Sequence, residues 1–128
     1  MPTTDEDRTQ EVLGRAESLH LLATAAIGRL AYTQAALPAI RPVSFSLQGD
    51  DLLIPVPGGG PLIDALRSSV VAFEADAYDE ALRTGWTVAV IGVSRVIDRR
   101  PTDQWQPQRP VIAVRVGLVQ GLRTGLPT

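Results

Sequence analysis

The sequence predicts a mainly β fold, a six-stranded antiparallel β-barrel with an N-terminal helix and a short inserted helix. Three observations point there. Six short runs of apolar, β-branched or aromatic residues recur between glycine, proline and aspartate turn signals. Helical patterns do not alternate with these runs, as they would in a doubly wound parallel sheet. The 128 residues are enough for one hydrophobic core but hardly for two. A single domain over 1–128 is therefore expected, with 1–8 as a flexible lead-in.

After the acidic start, Thr3, Thr4 or Thr9 can cap a helix. Val12, Leu13, Ala16, Leu19, His20 and Ala23 recur at spacings of one, three or four, which predicts an amphipathic helix ending before Gly28. A first strand runs from Ile27 to Tyr32, with Leu37 and Pro38 in the turn after it. Ile40 to Leu47 makes a second strand, where Pro42 demands an edge, a bulge or an unpaired backbone site. Gln48-Gly49-Asp50 turns the chain into a third strand, Asp51 to Val56, so these two form an antiparallel hairpin.

Pro57-Gly58-Gly59-Gly60-Pro61 breaks the pattern before a short helix carrying Leu62, Ile63, Ala65 and Leu66. The fourth strand, Val70 to Asp76, sets Val71, Phe73 and Ala75 on one face and Glu74 and Asp76 on the other. After a loop over 77–85, the longest strand runs from Trp86 to Asp98 with both faces apolar: Ala89, Ile91, Val93 and Ile97 on one, Val88, Val90 and Val96 on the other. A small barrel buries only its inside, so the outer face must lie under a helix or another subunit. A polar loop to Pro110, a sixth strand from Val111 to Val119 and a short tail complete the chain. Gly28, Gly92 and Gly117 fit crowded or bent barrel positions.

Composition removes several chemistries. All 12 basic residues are arginines, which excludes an internal Schiff-base lysine. The absence of cysteine excludes thiol nucleophiles, disulfides and cysteine-ligated metals, so any redox chemistry must come from a bound cofactor. A net charge of −2 without a basic cluster favours neither nucleic acid nor an anionic membrane. No leader pattern opens the chain and no apolar run approaches the roughly 18 residues of a membrane span, so the cytoplasm is the expected location.

The candidate site residues each have a bland reading beside the functional one. His20 suits acid–base work near neutrality, but no partner is fixed around it, and a packing or surface histidine reads more simply. Asp76, Asp79 and Glu80, or Asp5, Glu6 and Asp7, could gather around a cation but read better as solvated loops. Gly58, Gly59 and Gly60 are either a flexible turn or a loop presenting backbone amides to an anion, without the Lys-Ser/Thr ending of a P-loop. Arg29, Arg41 and Arg67 are the best phosphate candidates, since a guanidinium grips phosphate through two parallel hydrogen bonds. Trp86 could cover a flat ring or fill an interface, and Trp105 could anchor or lid a loop.

The order of motifs says more than any one of them. Ile27-Gly28-Arg29-Leu30-Ala31, Pro42-Val43-Ser44-Phe45, Val71-Ala72-Phe73-Glu74-Ala75-Asp76 and Gly85-Trp86-Thr87-Val88-Ala89-Val90-Ile91-Gly92 together resemble the pyridoxamine 5'-phosphate oxidase-like, FMN-binding split-barrel family. The likeness covers Leu19 to Asp98 and is nearest to the small actinobacterial branch, which overlaps the flavin- and deazaflavin-dependent oxidoreductases. It implies a six-stranded antiparallel split β-barrel that forms a homodimer, with a flavin in each of two clefts at the subunit boundary. By the same resemblance, Pro42, Val43 and Ser44 lie beside the isoalloxazine ring, Arg41 near the phosphate, and Gly58, Gly59, Gly60, Arg67 and Trp86 around the cofactor.

One departure is specific. The family segment commonly written Gly-Thr-Lys-Leu is Gly59-Gly60-Pro61-Leu62 here, so both phosphate-binding side chains are gone. Each charge-assisted contact of that kind is worth roughly 1.5–3 kcal/mol, or about tenfold or more in affinity. The implied cofactor is FMN, with F420 or no cofactor as the alternatives this loss opens. The implied activity is hydride or electron transfer to an unidentified small molecule. A flavin-binding or storage protein without catalysis and a cofactor-free split-barrel interaction module are the other readings. No catalytic acid or base and no metal ligand is identified.

Overall fold

The computed structural model describes residues 9–56, 60–99 and 109–125. In chain order the elements are β1 (Thr9–Leu13), α1 (Arg15–Leu22), β2 (Ile27–Gln34), β3 (Leu37–Ser44), β4 (Ser46–Gln48), β5 (Asp51–Pro55), α2 (Pro61–Ala65), β6 (Val70–Asp79), β7 (Thr84–Arg99) and β8 (Arg109–Gly125). The strands form one antiparallel sheet in the order β3-β2-β6-β7-β8-β5-β4, with β1 added along β8. The sheet curls until β3 comes back against β5 without hydrogen bonding to it. That unpaired seam is the split in the barrel. Among the described residues, no helix is long and apolar enough to cross a membrane.

Eight strands stand where six were expected, for two local reasons. The run from Ile40 to Leu47 is interrupted at Phe45, which is buried and sends its N–H to the Ala26 carbonyl at 3.1 Å. The chain thereby leaves β2 and begins pairing with β5. The second extra strand is β1. Val12 and Leu13 were expected on the N-terminal helix, but they alternate in a strand paired with 121–125, leaving Val12 exposed and Leu13 buried. The expected short tail is therefore the far end of β8, held between β1 and β7.

The helix begins only after Gly14. It turns Ser18 and Leu22 inward, one turn apart, while Ala16, His20 and Ala23 of the expected stripe are exposed. The Ser18 hydroxyl donates to the Gly14 carbonyl at 2.7 Å and sits against Gly121, where any larger side chain on the sheet would collide with it. A short helix lying closely across β8 thus buries a serine rather than a hydrophobe.

Leu37 and Pro38, expected in a turn, are the first residues of β3. The β2–β3 turn is Ala35-Ala36, both with positive φ (51° and 64°), a backbone that matches the right-handed twist of a two-residue hairpin. The β6–β7 ladder likewise runs on to Asp79↔Thr84, so the expected loop over 77–85 shrinks to 80–83. Pro42 lies on β3 at the sheet edge, one of the positions its missing N–H allows.

Inward residues make the core: Leu30, Phe73, Val88, Val90, Ile112 and Val114 are almost fully buried, and the α2 region adds Leu62, Ile63 and Leu66. Two glycines are needed where backbones approach. A Cβ at Gly28 would overlap the Phe73 ring and come within 2.8 Å of the Glu74 carbonyl. Gly92 faces the Arg115 carbonyl at the bulge where β8 inserts Gly117 between the partners of Ile91 and Gly92.

The outward face is different. Across five strands the register aligns Ile40, Ala31, Ala72, Ile91 and Leu118 in one apolar row. Ile40 and Leu118 are each 72% exposed, Val93 51% and Ile91 44%. The two-faced apolarity of β7 is thus real, and the single chain leaves its outer half uncovered.

Polar pairs flank this row. Arg29 bridges Glu74 and Asp76 at 2.9 Å each, and these hydrogen bonds, Glu74's first, raise its pKa further above the ordinary arginine range. Asp51 receives Arg95 at 2.9 Å and Arg115 at 2.8 Å. The hydrogen bond from Arg95, helped by that from Arg115, holds the Asp51 carboxyl below its usual 3.8 despite the opposing effect of burial.

Two stability predictions arise from this architecture. Gly28→Ala should lower unfolding stability by about 1–3 kcal/mol through overpacking against Phe73, whereas Ala36→Gly should raise it by about 0.5–1 kcal/mol by relieving the left-handed alanine. Denaturant midpoints at unchanged slope would read both. A carboxyl depressed in the folded state stabilises above the unfolded value and loses that contribution as pH falls through the folded one. Acid unfolding of the wild type should therefore steepen below about pH 4, and Asp51→Asn should flatten that part of the profile.

Candidate functional site: a groove at the open seam

At the seam, the edge of β3 faces the end of β5 and α2. Arg41, Pro42, Val43 and Ser44 line one wall of a groove of about 270 Å³, and Pro55, Val56 and Leu62 line the other. Because β3 pairs only with β2, the backbone groups on its second edge have no strand partner and border the groove. Val56 and Leu62 are buried and Val43 half-buried, which makes the floor apolar.

Arg41 is exposed on β3 and makes no ion pair or side-chain hydrogen bond with a described residue. Other arginines are engaged: Arg15 with the Gly117 and Val116 carbonyls, Arg29 with Glu74 and Asp76, Arg95 and Arg115 with Asp51, and Arg123 with Glu17. Arg67, two residues beyond α2, meets Asp64 at 3.4 Å, with both side chains well exposed. A cation left without a carboxylate beside an apolar groove can receive an anionic ligand without breaking an internal pair.

The sequence candidates therefore separate. Arg41, Pro42, Val43 and Ser44 come together as one wall. Gly60 is at the N-cap of α2 with φ 92°, a conformation that suits glycine, while Gly58 and Gly59 lie outside the described residues. Arg67 is not among the groove-lining residues, and Arg29 is committed to its carboxylates on the outer face. Trp86 lines a different hollow, of about 520 Å³, with Tyr78, Glu80, Thr84 and Arg123 at the β6–β7 hairpin.

His20 is exposed on α1. Among the described residues no cluster of histidine and carboxylate side chains could hold a metal. Trp105 and the Asp5-Glu6-Asp7 run lie outside the described residues.

Three lining residues were not assigned to the site from sequence: Pro55, Val56 and Leu62. Leu62 had a signal, since it ends the segment in which Gly60 and Pro61 replace a threonine and a lysine. Val56 and Pro55 had none, because only the curl of the sheet brings the end of β5 opposite β3.

Since Arg41 has no internal partner among the described residues, Arg41→Ala should leave unfolding stability within about 0.5 kcal/mol of wild type, measured by denaturant titration without ligand. A larger loss would show that the guanidinium holds the fold rather than awaiting an anion.

Comparison with known proteins places this geometry. A family model described as pyridoxamine 5'-phosphate oxidase matches residues 14–116. The uncharacterized protein Rv0080 of Mycobacterium tuberculosis is 35% identical, over 87% of this chain and 83% of its own length. A FAD-binding protein from Mycobacterium smegmatis superposes with a TM-score of 0.73 at 29% identity, covering 90% of this chain and 98% of its own. A FAD-binding protein from Mesorhizobium loti shares the fold, with a TM-score of 0.72 at 17% identity over 92% of this chain and 98% of its own. The matched family span contains all seven groove-lining residues, and with the mainly β antiparallel fold it shows that the chain belongs to the pyridoxamine 5'-phosphate oxidase family.

Proposed function

We propose that this protein is a homodimeric flavin-dependent oxidoreductase that holds its flavin in the groove at the seam, with FAD as the favoured form. The observation that carries the reading is Arg41, a guanidinium with no partner among the described residues, at an apolar groove walled by a strand edge. The residues fit a flavin. Arg41 would take a phosphate, the free edge of β3 at Pro42, Val43 and Ser44 offers polar groups to a heterocycle's rim, and Val56 with Leu62 supplies an apolar surface. A bound flavin would supply hydride or electron transfer; the chain would bind it, orient it and exclude water from one face.

Three considerations support FAD over FMN or F420. The threonine and lysine of the family's phosphate segment are absent, so a terminal phosphate loses its usual grip. A dinucleotide recovers affinity through its adenine and its longer contact. The Mycobacterium smegmatis relative, at 29% identity, is a FAD-binding protein.

The dimer has its own support. One chain's groove, at about 270 Å³, falls just below the usual range of ligand sites and is open on one side. The uncovered apolar row on the outer face is the kind of surface that a second subunit buries.

The test is a titration of purified protein with FAD, FMN and F420, followed by calorimetry and by the ligand's absorption. FAD should saturate near one per chain, and Arg41→Ala should weaken it about tenfold or more. Saturable binding without turnover between any reductant and acceptor would move the protein to the flavin-carrier reading. No binding of any of the three at high micromolar concentration would sink the cofactor assignment.

A further inference from the structure

Both walls of the groove carry proline where a closed barrel would carry ladder donors. β4 and β5 pair as Gln48↔Asp51, Leu47↔Leu52 and Ser46↔Leu53. The turn between them is Gly49-Asp50, with Gly49 at φ 60°, so Gln48↔Asp51 is a hydrogen-bonded pair and every second pair after it is another. Ser46↔Leu53 is therefore hydrogen-bonded. Continued past the Phe45 corner, the same register would set Ser44 opposite Pro55, and Pro42 opposite position 57, which is also proline in the sequence and lies outside the described residues. Both would be hydrogen-bonded pairs, yet of their members only Ser44 has an N–H to give.

Two bonds fix this alternation independently. Phe45 sends its N–H to the Ala26 carbonyl beside β2, so the backbone groups of Ser44 turn the other way, into the seam. Val56 sends its N–H to the Pro110 carbonyl beside β8, so those of Pro55 turn into the seam as well. The β2–β3 ladder agrees. Counting from the tight Ala35-Ala36 turn, Gln34↔Leu37 and every second pair down to Gly28↔Val43 are the hydrogen-bonded ones, which leaves Pro38, Ile40, Pro42 and Ser44 facing away from β2. Where β3 and β5 approach, the rims thus present the carbonyls of Pro42, Ser44 and Pro55 and the N–H of Ser44, which has no backbone partner among the described residues.

We infer that Pro42 and Pro55 are the stop that holds the groove open: with donors removed from both rims, β3 does not pair with β5, and the space between them stays available to a ligand. The Phe45 corner carries the chain from β2 to β5, but a corner alone would let the ladder run back past it, because pairing extends wherever two facing edges offer donors and acceptors. The site is an unfinished ladder. This holds for any occupant of the groove and so stands apart from the flavin assignment.

Pro38 supplies a control within the same strand. It also faces away from β2, but the continued register would set it against residue 61, where α2 begins, so no strand edge stands opposite it.

Amide hydrogen exchange followed by NMR reads the seam without any ligand. In the wild type Ser44 should exchange about a hundredfold or more faster than Val43, which is in a hydrogen-bonded pair with Gly28, and Phe45, which is bonded to Ala26. Equal protection of the three would mean that the seam is already closed and overturns the inference. In the double variant Pro42→Val with Pro55→Val both rims regain an N–H, and Ser44 should become as protected as its neighbours; Pro38→Val should leave it fast. Circular dichroism checks folding, and the single variant Pro55→Val, at an exposed position that completes the Ser44 pair, reads the same contact if the double variant does not fold. A folded variant in which Ser44 still exchanges as in the wild type overturns the role of the prolines.

The ligand space is read by titration with FAD. The double variant should bind about tenfold or more weakly, while Pro38→Val binds as the wild type does. Unweakened binding by a variant whose Ser44 is protected overturns the dependence of the ligand space on an open seam. A wild type that binds no flavin removes the cofactor assignment, and the exchange rates alone then decide on the prolines.

Discussion

The contact of Gly28, Phe73 and Phe45 governs where the barrel opens. Without a side chain at Gly28, the Phe73 ring fits under β2, and Phe45 meets it edge-on with ring centroids 4.7 Å apart at 65°. Burying Phe45 takes it out of the ladder, so the chain leaves β2 and joins β5 within one residue. The strand edge just before that corner, from Arg41 to Ser44, is left with no partner strand and becomes the groove wall. Fold and site are consequences of one packing decision. A side chain at Gly28 would disturb both at once.

Charge is distributed to the same end. A chain with no lysine has only guanidinium groups for its cationic work, and most of the described ones are tied to carboxylates or carbonyls within the chain. These pairs are partly exposed, so each contributes little to stability. Their importance lies in position: they set opposite net charges at the two ends of an apolar face, and they leave Arg41 as the cation beside the groove. The exposed face that invites aggregation of an isolated chain becomes an interface core if two copies close on it.

The groove differs from the family pattern in one way that matters for chemistry. With Gly60 and Pro61 in place of a threonine and a lysine, Arg41 is the cation that lines the groove. Pro61 also removes one N–H from the start of α2.

Much of this was legible in the sequence because it is local. Period-two alternation marked Val71, Phe73 and Ala75 as inward residues. Pro42 announced an edge, the run of apolar residues on both sides of β7 announced its apolar outer face, and four ordered motifs announced the family. Arg41 to Ser44 form one wall because they are consecutive on one strand. The rest depended on which distant segments meet. That Val12 and Leu13 join a strand is decided by the far end of β8, more than about 100 residues away in sequence, which offers them a ladder. That Arg29 is committed to Glu74 and Asp76 while Arg41 has no partner among the described residues is decided by strand register, and that Trp86 lines another hollow is decided by the curl of the sheet. Sequence by itself determines what each residue can do along its own strand, because side-chain alternation is a property of the local backbone; only the tertiary structure decides which of those residues face one another, because strand pairing is set by burial summed over the whole sheet.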